Sequence, residues 1–389
     1  MRGLTEGGFR LVAITPPDFR PGEAAEIAEA LRRGWWRVHI RKPGHPDEAI
    51  ERLINDIPEE LRPRLTLHDL FHLAEKTGIG GIHLNFRNPE PPAGWRGMLS
   101  ASCHSVNEAR YHRGKVDYMF LSPVYDSLSK PGYGSRFTEE ELALSGALGP
   151  DVLALGGVTP SKRDRLRRLG FGGAAMLTAA WQPLVEEDKT ILQYITDRPD
   201  GLEEVLRGGC RWVQLRVKEA SDEEFASLAL PVGRLCRKYR ATFILDDRAH
   251  LVEALKADGV HIGKNDIPLA EARAMLGPVK IIGATANTPA EAAEAARAGA
   301  DYLGIGPFRF TTTKKRLAPI LGAAGIAEAV AAARAARPGI PVVAIGGIGI
   351  PDLAEVNGTG ATGVAVSGLI LNSQDKTETT KEIIRIWKN

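Results

Sequence analysis

The sequence predicts an α/β protein built as two tandem (β/α)8 TIM barrels from an internal duplication. Three observations predict this. First, one set of short motifs occurs twice in the same order. The second half reads Ile195-Thr196, Gln214-x-Arg216-x-Lys218, Asp246-Asp247, Gly259-Val260-His261, Gly283-Ala284-Thr285, Thr311-x-Thr313-Lys314 and Gly346-Gly347. The first half reads Ile14-Thr15, His39-x-Arg41, His68-Asp69, Gly81-Ile82-His83, Ser100-Ala101-Ser102, Ser127-x-Ser129-Lys130 and Gly156-Gly157. Thr196 follows Thr15 by 181 positions, Arg216 follows Arg41 by 175 and Gly346 follows Gly156 by 190. Chance matches would scatter, but a slow drift describes one unit copied with small loop changes. A period this long is a duplicated domain and not a solenoid repeat. Second, each half alternates short β-rich runs with amphipathic stretches. Third, the apolar runs lack polar alternation, as expected of parallel strands covered on both faces.

In the first half the strands are expected at 10–15, 36–40, 65–68, 81–84, 98–101, 118–121, 152–155 and 173–176. In the second they are expected at 192–196, 212–216, 242–246, 259–262, 280–284, 302–306, 341–345 and 363–366. Helix patterns lie between them at 223–238, 249–256, 289–298 and 323–337. The last ends in Arg337-Pro338-Gly339, a stop signal. Eight β-α units in about two hundred residues fit a small barrel. A doubly wound open sheet is the competing arrangement, disfavoured because no GxGxxG follows the first strand. The joint falls in 182–190, where Pro183 and Glu186-Glu187-Asp188 interrupt the pattern. The domains are therefore 1–185 and 190–389, and the two barrels are expected to pack on each other.

The 389 residues suffice for two ordinary domains, each burying its own core. A formal net charge of +2 gives no reason to expect nucleic acid or a membrane surface as partner. The basic run 163–168 lies where a helix belongs and reads as a solvated face. Cys103, Cys210 and Cys236 have no CxxC spacing, which fits a reducing compartment. The start has no long apolar run, so no signal peptide or membrane span is expected and the cytoplasm is the expected compartment.

In a barrel of this kind, residues at the C-terminal strand ends build the site. The second half puts Gln214, Arg216 and Lys218 after its second strand and Asp246 and Asp247 after its third. Asp266 follows the fourth and Thr285 ends the fifth. Thr311, Thr313 and Lys314 follow the sixth, Gly346 and Gly347 the seventh, and Ser367 and Gly368 the eighth. All belong to one rim. The glycines read either as a phosphate cradle or as turn chemistry. Asp247 and Asp266, near Arg216, Lys218 and Lys314, read either as a Mg2+–polyphosphate arrangement or as rim salt bridges with an Asp cap. The Thr-Lys run after the sixth strand reads as a loop closing over phosphates or as an ordinary polar loop. His261, inside a strand, points by alternation toward the core or the barrel interior and reads as structural more readily than catalytic.

Taken together, these motifs resemble the thiamine phosphate synthase family over nearly the whole second half. The resemblance rests on Gln214-Leu-Arg216-Val-Lys218, Phe243-Ile-Leu-Asp246-Asp247, Ala257-Asp-Gly-Val-His-Ile-Gly263, Gly299-Ala-Asp-Tyr-Leu-Gly-Ile-Gly-Pro307, Thr311-Thr-Thr-Lys314 and Ala344-Ile-Gly-Gly347. It implies Mg2+ as cofactor, and a hydroxymethylpyrimidine diphosphate and a thiazole phosphate as substrates. It further implies that Asp247 and Asp266 bind the metal and that Arg216, Lys218 and Lys314 hold diphosphate. Gln214 and Thr285 would face the pyrimidine, and Thr311 and Thr313 the loop side of the phosphates. Gly346, Gly347, Ser367 and Gly368 would hold the thiazole phosphate. Three positions depart from the family's pattern: Asp246 for Asn, Lys264 for Gln, and Ser367-Gly368 for a Val-Ser pair. The first adds negative charge near the metal and is expected to weaken pyrimidine recognition, while Asp246 still counts among the substrate-binding residues. None of the three removes a metal ligand.

The first half resembles the same superfamily less closely. It keeps Arg41, Asp69, Ser102, Ser127, Ser129, Lys130 and Gly156-Gly157, but Pro43 replaces the lysine and Asn88 the second metal carboxylate. Its Ser102-Cys103-His104-Ser105 resembles the active segment of thiazole tautomerase, in which His104 would be the acid/base. Tautomerase, residual synthase and non-catalytic support all stay open for this half. A regulatory module that binds thiazole phosphate without catalysis, and another phosphate-binding barrel enzyme, are the rival readings of the second.

Overall fold

The computed structural model describes residues 8–388 except 127–133 and 311–318. The chain divides into two compact units, Met1–Gln182 and Pro183–Asn389. In the first, β1 (Arg10–Ile14), β2 (Arg37–Ile40), β3 (Leu65–His68), β4 (Gly81–Leu84), β5 (Met98–Cys103), β6 (Tyr118–Leu121), β7 (Val152–Ala154) and β8 (Gly173–Met176) close a parallel barrel in chain order. In the second, β9 (Leu192–Thr196), β10 (Trp212–Leu215), β11 (Thr242–Asp246), β12 (Gly259–Ile262), β13 (Ile281–Ala286), β14 (Tyr302–Ile305), β15 (Val342–Ile345) and β16 (Gly363–Val366) do the same. Every expected strand is present, shifted at its ends by two residues at most. Both units are thus (β/α)8 barrels, and no open sheet occurs among the described residues.

Local signals account for the helices. Asp222–Lys238 starts at Ser221, whose hydroxyl accepts from the Glu224 amide while Glu224 reaches back. Pro289–Arg297 has Thr288 as its cap and proline in the first turn. The basic run forms Arg163–Leu169, with Leu166 buried and the arginines on the outer side. One helix expectation is corrected: 249–256 forms only the short 3-10 turn Ala249–Leu251. Lys256 takes a left-handed φ of 53°, which ends the segment before an α-helix can propagate. The segment 183–190 is structured, with Val185 buried beneath the second barrel and a helical turn at Glu187–Thr190.

Alternate residues on each strand face in or out. Outward residues such as Tyr194, Val213, Leu245, Val260 and Leu303 are fully buried against the helices. Inward residues plug the barrel floor, with Ile195, Trp212, Ile244, Ile281, Tyr302 and Val343 in one cluster. Inward residues one step nearer the strand ends are polar, and these form the mouth. The three cysteines are free and buried. Burial pushes Cys210 up to about 11 and Cys103 up to about 12, so neither is a nucleophile near neutral pH. No helix of the described residues is long and apolar enough to cross a membrane.

Candidate active site

A cavity of about 450 Å3 opens at the C-terminal mouth of the second barrel. Gln193, Gln214, Asp246, His261 and Thr285 line one side. Gly346, Gly347, Ser367 and Gly368 line the opposite side. Ile195, Ile345, Ile348 and Leu369 make the apolar wall between them. Arg216 enters from the rim. The expected residues Gln214, Arg216, Asp246, Thr285, Gly346, Gly347, Ser367 and Gly368 therefore surround one space. Thr311, Thr313 and Lys314 lie outside the described residues, as do Ser127, Ser129 and Lys130 of the first half.

Asp246 is the hub of the polar wall. It is 5% exposed. Its Oδ1 accepts from Gln214 Nε2 at 2.7 Å. Its Oδ2 faces Lys218 Nζ at 3.0 Å and Arg216 Nε at 3.3 Å. Burial and the neighbouring Asp247 push its carboxyl up, and the two cations pull against them. Lys218 also pairs with Asp247. Burial lowers the lysine, but the two carboxylates outweigh burial and hold it protonated.

Asp247 sits just past the end of β11 with a left-handed φ of 64°. It hydrogen-bonds Asp266, from the loop after β12. Two carboxyls in contact share one proton. Burial and the bond to Asp247 push Asp266 up to about 6, while the bonds from Asp266 and Lys218 hold Asp247 below its ordinary range despite burial. Below about pH 6 the shared proton therefore sits on Asp266, and above it both carboxyls are ionised. Such a pair of hard oxygen donors suits Mg2+, which favours carboxylate and phosphate oxygens. The pair fits the ion.

Sequence reasoning left His261 as structural and passed over Gln193 and Asn287. In the structure His261 bridges Tyr302 at 3.0 Å and Thr285 at 2.9 Å, and all three added residues line the cavity. The missing signal was the two-residue strand period: Gln193 and Ile195, and Thr285 and Asn287, share a face. Lys264 pairs with Glu291 at 2.6 Å, on the helix after β13. The glycines have a packing reason as well. A Cβ on Gly346 would sit 2.7 Å from Pro307, and one on Gly347 would sit 2.6 Å from the Phe310 carbonyl, both at positive φ.

The first barrel carries the same registers with different chemistry. His68 pairs with His83 across β3 and β4 as Asp246 pairs with His261 across β11 and β12. Phe120 lies opposite Ser102 as Gly304 lies opposite Thr285. Phe120 is fully buried and packs 4.8 Å from His39 and 5.0 Å from His83. It fills space that Gly304 leaves open in the second barrel. Asp69 keeps the left-handed φ, at 57°. Its oxygens accept from Arg87 at 2.8 Å, Asn88 at 2.7 Å and Asn85 at 3.0 Å. Those bonds, with the Arg87 charge, hold it below its ordinary range in spite of burial. A guanidinium and two amides thus stand where the second barrel has a second carboxyl. Lys42, beside the replaced lysine position, is turned inward onto Glu23 at 2.7 Å and is fully buried. His104 is exposed at the end of β5, with Nδ1 3.2 Å from the Ser122 carbonyl.

A parallel barrel with two cations and paired carboxyls at one mouth is the arrangement expected of a phosphate-handling (β/α)8 enzyme. Comparison narrows the class. The family profile described as thiamine monophosphate synthase matches residues 11–180 and again 188–370. The chain belongs to that family, a family of transferases. It is 50% identical over 201 residues to the thiamine-phosphate synthase of Bacteroides fragilis, covering 50% of this chain and 98% of the relative. It is 46% identical over 207 residues to that of Phocaeicola vulgatus, covering 51% of this chain and 100% of the relative. Among solved structures it is similar to thiamine phosphate pyrophosphorylase from Pyrococcus furiosus, with 34% identity, a TM-score of 0.47, and coverage of 52% of this chain and 97% of that one.

Two outcomes are expected. If the Asp247–Asp266 pair takes Mg2+, binding below about pH 6 must first release the Asp266 proton. Mg2+ affinity should be flat above that pH and fall about tenfold per pH unit below it. Calorimetry in buffers of differing ionisation heat reads both the affinity and the released proton. Separately, Gly304→Phe should place in the second barrel the ring that the first carries at the matched register. A Cβ there would already sit 3.1 Å from His261 Cε1, so His261 must shift as the ring enters. Thermal unfolding checks that the barrel still folds, and binding of a pyrimidine diphosphate should be lost in titration.

Proposed function

We propose that the second barrel is a Mg2+-dependent thiamine phosphate synthase. It joins hydroxymethylpyrimidine diphosphate to thiazole phosphate and releases diphosphate. The observation that carries this reading is the linked cluster of Arg216, Lys218, Asp246, Asp247 and Asp266, of which Arg216 and Asp246 line a cavity of about 450 Å3. The relatives named thiamine-phosphate synthase support it.

The bond between the pyrimidine methylene and the diphosphate oxygen breaks with its electron pair leaving on oxygen. The thiazole nitrogen lone pair then forms the new C–N bond. This course needs no protein nucleophile, so the barrier falls mainly through charge and positioning. Arg216 and Lys218 would turn from Asp246 and Asp247 to the diphosphate oxygens, joined by Lys314, Thr311 and Thr313. Bound Mg2+, held by Asp247 and Asp266, would offset diphosphate charge. Gln214, Asp246 and Thr285 would orient the pyrimidine, with Asp246 accepting from an exocyclic amino group. Gly346, Gly347, Ser367 and Gly368 would hold the thiazole phosphate. Ile195, Ile345 and Leu369 would keep water from the cationic centre.

The full chain with both substrates and Mg2+ should yield thiamine phosphate and diphosphate. Asp247→Asn or Asp266→Asn should cut turnover about a hundredfold or more. A parent that forms no product, yet binds thiazole phosphate without any diphosphate site, would instead be a regulatory binding module.

For the first barrel we favour a thiazole tautomerase acting on a monophosphate. The specific observation is the placement of His104. It is exposed just past β5, with Nδ1 held 3.2 Å from the Ser122 carbonyl and 3.3 Å from the Ser122 hydroxyl, which leaves Nε2 facing outward to exchange a proton. Phe120 and the Arg87-bound Asp69 count against residual synthase chemistry there. The aromatic thiazole formed would be the substrate of the second barrel. His104→Ala should abolish isotope exchange on the thiazole and leave synthesis from the aromatic thiazole intact. Exchange that persists in the variant, or is absent from the parent, would make this barrel a non-catalytic support.

A further inference from the structure

Three histidines of the first barrel take no part in the chemistry above. His39 on β2, His68 at the end of β3 and His83 on β4 stand side by side at the inner mouth. One ring nitrogen from each lies within 4.8 Å of the others. His39 and His83 are buried, and His68 is half-buried. Burial pushes all three imidazoles down, with charged or ring neighbours adding to it, and His68 falls to about 3. The rings are neutral across the physiological range.

The geometry points to a site for a nitrogen-preferring divalent metal, Zn2+ being the fitting ion, held by His39, His68 and His83. His39 Nδ1 and His68 Nε2 are 2.8 Å apart, with a single proton between them. Zn2+ with bonds of about 2.0–2.1 Å sets tetrahedral nitrogens roughly 3.3 Å apart. His83 lies stacked on His68, with ring centroids 4.2 Å apart and planes at 22°. Metal binding therefore opens the His39–His68 contact by about half an ångström and rotates His83 out of that stack to aim Nε2 at the ion. The far side of two rings is already anchored. Tyr118 Oη meets His39 Nε2 at 2.6 Å, and Ser100 Oγ meets His83 Nδ1 at 2.8 Å. Such outer partners fix ring orientation around a metal. His83 Nε2, now on Ser102 Oγ at 2.8 Å, is the nitrogen left to bind. A fourth position would fall to Ser102 or to water entering past His68.

The sister barrel supplies the contrast. At the same registers it has Gln214, Asp246 and His261, where an amide hydrogen-bonds a carboxylate at 2.7 Å. The first barrel replaces the amide and the carboxylate with imidazoles and keeps the third. Packing alone gives no reason to bury three polar rings beside Phe120, where an apolar side chain would desolvate at less cost. Three imidazoles without a carboxylate favour Zn2+, Co2+ or Ni2+ over Mg2+. The site is independent of the role given to His104.

The test uses the full chain, stripped with a chelator and supplied with excess Mg2+ to fill the carboxylate pair. Titration with Co2+ should give a single bound ion with the intense visible bands of tetrahedral cobalt, displaced by Zn2+. Zn2+ should also raise the midpoint of thermal unfolding. His68→Gln should remove the bands. Ser100→Ala and Tyr118→Phe keep all three rings and should weaken binding about tenfold to a hundredfold. These variants guard against a His68→Gln chain that fails to fold. Surface pairs such as His72–Asp47 and His250–Asp222 would bind Co2+ without responding to any of the three changes. A parent that shows no tetrahedral bands, or bands indifferent to all three variants, overturns the assignment and leaves the histidines as a hydrogen-bonded core.

Discussion

Closing eight parallel strands forces every second side chain into a shared interior, and the rest of each barrel depends on how that space is filled. The floor of the second barrel is packed solid by Trp212, Tyr302 and their aliphatic neighbours. Gly283 leaves room for that packing, since a Cβ there would lie 2.2 Å from the Tyr302 ring. One layer higher, the filling is decided by a single position on the sixth strand. With Gly304, the mouth stays open and His261, Thr285 and Asp246 face a cavity. With Phe120 at the equivalent register, the ring lies among the histidines. At the same register, one residue's difference in volume separates a cavity-lining glycine from a ring buried against two histidines.

A second contrast is electrostatic. Both barrels hold an aspartate at positive φ just past the third strand, Asp69 and Asp247. Holding a non-glycine residue there costs of order 1–3 kcal/mol, and such strain gathers at functional sites. What differs is the partner. Asp247 meets Lys218 and a second carboxyl, Asp266. Once Asp266 ionises, near pH 6, the cluster with Asp246 and Arg216 holds one carboxylate more than it has cations, a demand for positive charge. Asp69 meets Arg87 and two asparagine amides, so the demand is already met from within the chain. Duplication preserved the strained backbone and let the charge balance diverge.

Much of this was legible in the sequence. The motif order gave the duplication, and uninterrupted apolar runs such as Val213 and Leu245 with their neighbours marked strands buried on both faces. Placing polar residues at strand ends assembled the rim without coordinates. The rest was not legible, for physical reasons. His261 sits in a strand between apolar neighbours, and only the inward-facing register shows that it reaches the cavity. Phe120 reads as one more core residue, because a sequence does not say that its counterpart Gly304 is a gap. The 249–256 segment has helical composition, but a left-handed Lys256 ends it. The Arg87–Asp69 pair joins two loops, and no spacing rule predicts a side chain reaching back across them.

The glycines after β15 show why one residue type can carry two readings at once. Gly346 and Gly347 both take positive φ, and the 307–310 segment passes so close that a Cβ would collide with it. The amides of Phe308 and Arg309 donate to the carbonyls of Ile345 and Gly346 at 2.9 Å. Turn chemistry and backbone approach therefore explain the glycines completely. The same contacts tie the end of β15 to the start of the segment that carries Thr311, Thr313 and Lys314. Gly156 and Gly157 repeat the arrangement, packed against Pro123 and the Asp126 carbonyl. A phosphate site built on these glycines would inherit its rigidity from a packing constraint that each barrel needs whether or not it binds phosphate. Their presence in the first barrel is thus evidence of shared architecture, and only the side chains around them distinguish one chemistry from another.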